Sequence, residues 1–138
     1  DIFYFLILYM TCFFDGIIDS LDLRDFRKIG LTYKPAPLIF AKAMKENNKI
    51  TEHVVWQGVK PKDKELRENY DRIKSYDLNT IMQGYDCSSS EPFLFLVSEL
   101  FKVKIEVNFI GSMIYYNNIE YSPRTFKFAN SRGHFRKI

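Results

Sequence analysis

The sequence predicts a single α+β domain with helices first and a small, mostly antiparallel sheet last. Three observations support this. Apolar residues at three- and four-residue spacing mark the earlier segments, whereas strict alternation begins only after Lys102. Helical and strand-like segments are segregated along the chain, which favours α+β over an interleaved parallel sheet. The 138 residues, with thirteen Phe and nine Tyr, suit one core rich in aromatic rings.

The run from Ile2 to Met10 is apolar and uncharged. It is shorter than the roughly 20 residues a membrane span requires. It also lacks the basic flank and small-residue cleavage site of a signal peptide. We expect it to lie buried beneath the helix that follows. The chain opens on Asp1 rather than Met, as expected of a segment cut from a longer protein. Phe14, Ile17, Ile18 and Leu21 then fall at i, i+3, i+4 and i+7, one face of a helix. Cys12 sits at or just before its first turn. Free N–H groups and the helix dipole at that position favour an anion, so a thiolate there is expected to have a lowered pKa.

Asp22 to Lys28 is charged and reads as a solvated turn or short helix ended by Gly30. Pro37 to Glu46 reads as a second helix, with Leu38, Ala41 and either Met44 or the Lys45 stem on its apolar stripe and Asn47-Asn48 stopping it. Val54-Val55-Trp56 is a short apolar patch, with Trp56 expected in the core and His53 expected to be structural. Lys62 to Ser75 fits an exposed amphipathic helix carried by Leu66, Tyr70 and Ile73. Its alternating charges read as a solvated face.

Ser88 and Glu91 have capping-box spacing, with Pro92 in the first turn. Phe93, Leu96, Val97, Leu100 and Phe101 continue as a helical stripe. Val103, Ile105, Val107 and Phe109 alternate as a strand. Gly111 turns the chain into a second strand, Met113 to Tyr116. Thr125 to Ala129 is a third, Asn130 to Gly133 a turn, and His134 to Ile138 a fourth.

A net charge of +3 with interspersed signs does not require a nucleic-acid partner. Two distant cysteines are too few for a secreted disulfide framework and point to a reducing, cytoplasmic setting. No Cys or His pair has metal-ligand spacing, so no metal or other cofactor is expected.

A cysteine opening a helix as Cys12-Phe13-Phe14, a helix-to-strand unit over Glu91 to Val107, and a terminal Gly133-His134-Phe135 together resemble the OTU (ovarian tumour) family of papain-like cysteine proteases. The similarity extends along the whole chain and is greatest to the compact OTU proteases of viral polyproteins. The resemblance implies an OTU-like papain-type fold and a deubiquitinase. Such an enzyme acts on ubiquitin or a ubiquitin-like modifier and on its own polyprotein, and it works in the host cytoplasm as part of a larger protein.

The resemblance further implies that Cys12 is the nucleophile and His134 its general base. Backbone N–H groups of Met10, Thr11 and Cys12 would form the oxyanion hole. The chain departs from the family twice: Tyr9 stands three residues upstream of Cys12 where an acid is usual, and Arg136 stands two beyond His134 where Asn or Asp is common. A Cys–His dyad is therefore expected, with Asn130 the candidate third member. Cys87 is the rival thiol, read as a loop residue ahead of its helix. Asp15, Gly16, Asp86 and Glu91 are candidate borders of a substrate cleft. Two other readings follow from the residues. One is a catalytically inactive binding module. The other is a single-strand nucleic-acid binder using Lys127, Arg132, Arg136 and Lys137 with Phe126, Phe128 and Phe135 between them.

Overall fold

The computed structural model describes residues 12–83, 87–131 and 134–138. Five α-helices are described: α1 Cys12–Ser20, α2 Leu23–Lys28, α3 Pro37–Glu46, α4 Asp63–Ser75 and α5 Cys87–Phe101. A 3-10 segment, Leu78–Gln83, precedes α5. The strands are β1 Val54–Trp56, β2 Val103–Phe109, β3 Ser112–Asn118, β4 Arg124–Ser131 and β5 His134–Lys137. The expected burial of Ile2 to Met10 falls outside the described residues.

The helices follow their sequence signals closely. In α1, Phe14, Ile17 and Ile18 are buried, with Leu21 just past its end. Asp22 caps α2 through a reciprocal box. Asp25 N–H donates to Asp22 Oδ1 (3.1 Å), and Asp22 N–H donates to Asp25 Oδ2 (2.9 Å). Pro37 opens α3 and Asn47 closes it. Its buried face is Phe40, Ala41, Ala43 and Met44, whereas Leu38 is 50% exposed. The expected stripe is therefore rotated, because Phe40 and Met44 at i and i+4 present more apolar area to the core than Leu38 does.

Helix α5 is buried on nearly every side, with Phe93, Leu94, Phe95, Leu96, Val97 and Ser98 all withdrawn from solvent. It already begins at Cys87, which corrects two expectations. Ser88 lies inside the first turn rather than capping it, and Cys87 opens the helix rather than sitting in a loop ahead of it. Burial of the following residues outweighs the loop propensity of the serine run. The buried polar groups here are satisfied. Ser98 Oγ donates to Val103 O (2.7 Å), and Asn118 Nδ2 donates to Ser98 O (2.9 Å).

The sheet order is β1-β3-β2-β4-β5. Three neighbouring pairs are antiparallel, as expected, but β2 and β4 run parallel. The sheet is thus mixed. Strand β2 carries the strongest apolar alternation and takes the central place, with partners on both sides. The chain after β3 returns on the far side of β2 through a segment containing Pro123, which lacks the N–H that a ladder uses.

Strand β1 adds a fifth strand at one edge, where the sequence showed only an apolar patch. It ends in a two-residue reversal at Gln57 and Gly58, with φ of 50° and 76°. Trp56 and Val59 exchange both backbone hydrogen bonds across it, each 2.9 Å, as in a type I′ hairpin. Left-handed backbone at a non-glycine costs about 1–2 kcal/mol. Three hydrogen bonds to β3 offset that cost. Gln57 N–H donates to Tyr115 O (3.0 Å), Gln57 Nε2 donates to Met113 O (3.2 Å), and Tyr115 N–H donates to Gln57 Oε1 (2.9 Å).

One long-range ion pair ties the two halves together. Arg124, opening β4, donates through both terminal nitrogens to Asp25 of α2 at 2.7 and 2.8 Å. Asp25 is 2% exposed. Removing the arginine leaves a buried carboxylate without its partner, which costs about 3–5 kcal/mol. Arg124→Leu is therefore expected to lower the urea midpoint by that equivalent. Arg124→Leu combined with Asp25→Asn should recover a large part of the loss. A double variant no more stable than Arg124→Leu would show that the pair is not the cause.

Candidate active site

Cys12 opens α1 and is 8% exposed. Its Sγ accepts a hydrogen bond from the backbone N–H of Phe135 at 3.2 Å. That N–H belongs to the peptide bond joining His134 to Phe135, so the sulfur lies against the backbone of the residue expected to be its base. Strand β5 is an edge strand, and the Phe135 N–H is turned outward from β4 toward α1. The helix covers that edge because Gly16 lets it approach. A Cβ at Gly16 would stand 3.3 Å from Phe135 Cδ1 and Cε1. The Phe135 ring packs on Phe13 (centroids 4.9 Å) and Phe128 (4.7 Å), and Lys137 Nζ donates to Asp19 O at 3.0 Å.

Side chains alternate along β5. Phe135 is buried toward the helices, while His134 is exposed and starts from the other face. The His134 side chain therefore starts from the face of β5 opposite to Phe135, and the thiol meets the strand through the Phe135 N–H. In the register, His134 stands opposite Ser131, and Asn130 stands opposite Phe135. Asn130 is 1% exposed, and among the described residues neither its Oδ1 nor its Nδ2 has a hydrogen-bond partner. It belongs to β4 rather than to the expected turn and faces the helical layer. The register therefore does not place it beside His134.

The electrostatics of Cys12 differ from the expectation for a helix start. Burial pushes its thiol above the ordinary cysteine value, and the carboxylate of Asp15 adds to the rise. The Phe135 N–H and the backbone N–H groups of Cys12 and Phe13 pull the other way without reversing it. Desolvation of a small, enclosed sulfur outweighs three donors.

Met10, Thr11, Asp86, Arg132 and Gly133 lie outside the described residues, as does the side chain of Cys87. Phe126, Phe128 and Phe135 are all buried. They are core rings, so they are not available as the stacking platform of the nucleic-acid reading.

Two further constellations were not singled out from the sequence. Glu91 lines a cavity on the far side of α5, with Trp56, 38% exposed, at its mouth. The expectation that Trp56 belongs to the core is thereby corrected, because β1 ends at the hairpin tip and carries the ring out with it. The signal available in advance was Gln57-Gly58 between Val54-Val55-Trp56 and Val59, a short-hairpin pattern.

The second is a polar cluster around His53. His53 Nδ1 pairs with Glu99 Oε2 at 2.7 Å and lies 3.5 Å from Glu120 Oε1. His53 N–H donates to Glu99 Oε1 at 2.9 Å. Ligand atoms of His53, Glu99 and Glu120 lie within 4.8 Å of one another, a donor set that could hold a cation. Two ammonium groups already serve the carboxylates, however. Lys102 Nζ is 3.0 Å from Glu120, and Lys49 Nζ is 3.9 Å from Glu99. The arrangement reads as an ion cluster clipping β1 to α5 and to the β3–β4 loop.

Two outcomes are expected. Alkylation of Cys12 by iodoacetamide, followed by mass spectrometry, should rise with a midpoint above that of an exposed thiol. Asp15→Asn should move that midpoint down, and a midpoint below the ordinary range would contradict the burial account. For the second, the hydrogen bond to Glu99, aided by the nearby carboxylates, raises the His53 pKa. Its stabilisation is therefore complete below the unfolded value of about 6.5 and is lost as pH rises through the higher folded value. The melting-temperature advantage of the native chain over His53→Gln should accordingly shrink as the solution is made alkaline. A pH-independent difference would contradict the clip.

Comparison of the chain with family models, with curated proteins and with solved structures finds no match in any of the three.

Proposed function

We propose that the chain is a cysteine isopeptidase of OTU type, with Cys12 as nucleophile and His134 as general base. The observation that supports it most is the Phe135 N–H donated to Cys12 Sγ at 3.2 Å. It sets the thiol against the peptide bond that joins His134 to Phe135, at the opposite end of the sequence. The helix-first order, the central α5–β2 unit and the sheet ending in β5 fit the same reading.

The chemistry follows from this placement. Cys12 Sγ attacks the carbonyl carbon of a peptide or isopeptide bond while His134 takes the thiol proton. The carbonyl oxygen becomes an oxyanion, which backbone N–H groups near Cys12 would stabilise. Collapse breaks the C–N bond, and His134 returns the proton to the leaving amine. Water then attacks the thioester, again through His134, releasing a carboxylate and restoring the thiol. Because burial keeps the thiol protonated at rest, proton transfer accompanies the attack rather than preceding it. The substrate in this reading is ubiquitin or a ubiquitin-like modifier, with a polyprotein as a second substrate class. No helix among the described residues is long and apolar enough to cross a membrane, and a reducing cytoplasm suits the thiol.

The raised thiol pKa favours one rival, an inactive OTU-like module that binds a modifier without cleaving it. A ubiquitin carrying a C-terminal electrophile separates the two. The enzyme reading expects covalent capture that is lost in Cys12→Ala and retained in Cys87→Ala. His134→Ala should reduce turnover of a ubiquitin-derived substrate by roughly 10²–10⁴-fold. Binding of ubiquitin without capture would support the inactive module, and capture through Cys87 would overturn the assignment.

A further inference from the structure

A cavity of about 490 Å³ lies between the Trp56–Val59 hairpin, the start of α4 and one face of α5. It is separate from the Cys12 site. Strand β1 forms the opposite edge of the sheet from β5, four strand spacings or roughly 19 Å away. Helix α5 stands between them. Phe93 packs on Phe14 of α1 with centroids 5.3 Å apart, while Glu91 and Phe95, one turn from each other, line the cavity.

Its walls have a definite chemistry. Trp56 and Val59 are both exposed on a hairpin tip whose turn is held to β3 by hydrogen bonds. The backbone that carries the aromatic ring is therefore fixed before any partner arrives. Phe95 forms the floor, braced edge-on by Tyr116 at 5.2 Å between centroids. Three carboxylates, Glu65, Glu68 and Glu91, also line the cavity. Among the described residues none of them has an ion-pair partner. Glu91 is half-buried, and burial alone raises its pKa. Lys60 and Lys62 also border the cavity and, like Glu65 and Glu68, are exposed, so Glu91 is the one half-buried charged group in its lining.

We propose that this cavity receives the side chain of an arginine or lysine carried by a partner protein. Trp56 covers the aliphatic stem and the flat cation, Phe95 closes the floor beneath them, and Glu91 accepts the charge. An aromatic face attracts a cation, and a guanidinium stacks while offering paired donors to a carboxylate. A ready-made aromatic anchor on a rigid turn is the kind of residue that dominates protein interfaces. The proposal stands independently of catalysis at Cys12.

Trp56 is the only tryptophan in the sequence, so its fluorescence reports on this cavity alone. The full chain is titrated at low salt with Nα-acetyl-arginine amide, with the isosteric neutral citrulline amide, and with glutamate amide. The expected result is a saturable Trp56 response to the arginine amide in the millimolar range, with none to citrulline. Affinity should fall about tenfold or more in Glu91→Gln, the loss expected for a charged hydrogen bond. No response to the arginine amide, an equal response to citrulline, or preference for the glutamate amide through Lys60 and Lys62 would each overturn the proposal. So would an arginine response unchanged in Glu91→Gln.

Discussion

Helix α1 closes the open edge of β5, with Gly16 at the closest approach. With no side chain at Gly16, the helix can rest on the Phe135 ring, and the outward N–H of Phe135 finds the sulfur of Cys12 instead of solvent. An edge strand normally exposes such groups. Here one of them becomes a donor to the thiol. The same contact joins residues from opposite ends of the chain, so the first and last described elements depend on each other. Phe13, Phe128 and Phe135 stack around this junction, and the apolar area they bury holds the thiol in place while also desolvating it.

That double effect shapes the chemistry. Enclosure fixes the sulfur beside the backbone of His134 but raises the thiol pKa. A resting thiolate is disfavoured, so the proposed reaction calls for a base that acts during the attack. Asn130 illustrates a related cost. A buried amide with both polar atoms unpartnered among the described residues is destabilising by itself. Its place across the ladder from Phe135 puts that cost at the same junction rather than elsewhere in the core.

Most of the architecture was legible in the sequence because local signals and burial agree there. The boundaries of α3 follow from Pro37 and Asn47, and β2 follows from the alternation of Val103, Ile105 and Val107. The parallel pairing of β2 with β4 was not legible, since strand alternation is identical in either direction and only the tertiary return of the chain decides it. Helix α5 began earlier than its serines suggested, because burial on all sides is a property of the packed molecule. Cys12 and His134 were visible as types and positions, and the structure places the thiol against the His134–Phe135 peptide bond. The burial of Asn130 and the pairing of His53 with Glu99 depend on contacts distant in sequence, and no local pattern encodes them.

The central claim is that the Cys12 thiol and the His134 imidazole work as a pair, and a short bifunctional alkylating agent tests it directly. The thiol attacks one end of 1,3-dibromoacetone, and a ring nitrogen within a few ångströms captures the other. Mass spectrometry of the digested protein is predicted to show one bridged peptide joining Cys12 to His134, absent in His134→Ala. A reagent that leaves Cys12 untouched, attaches to it at one end only, or bridges it to another residue would contradict the account.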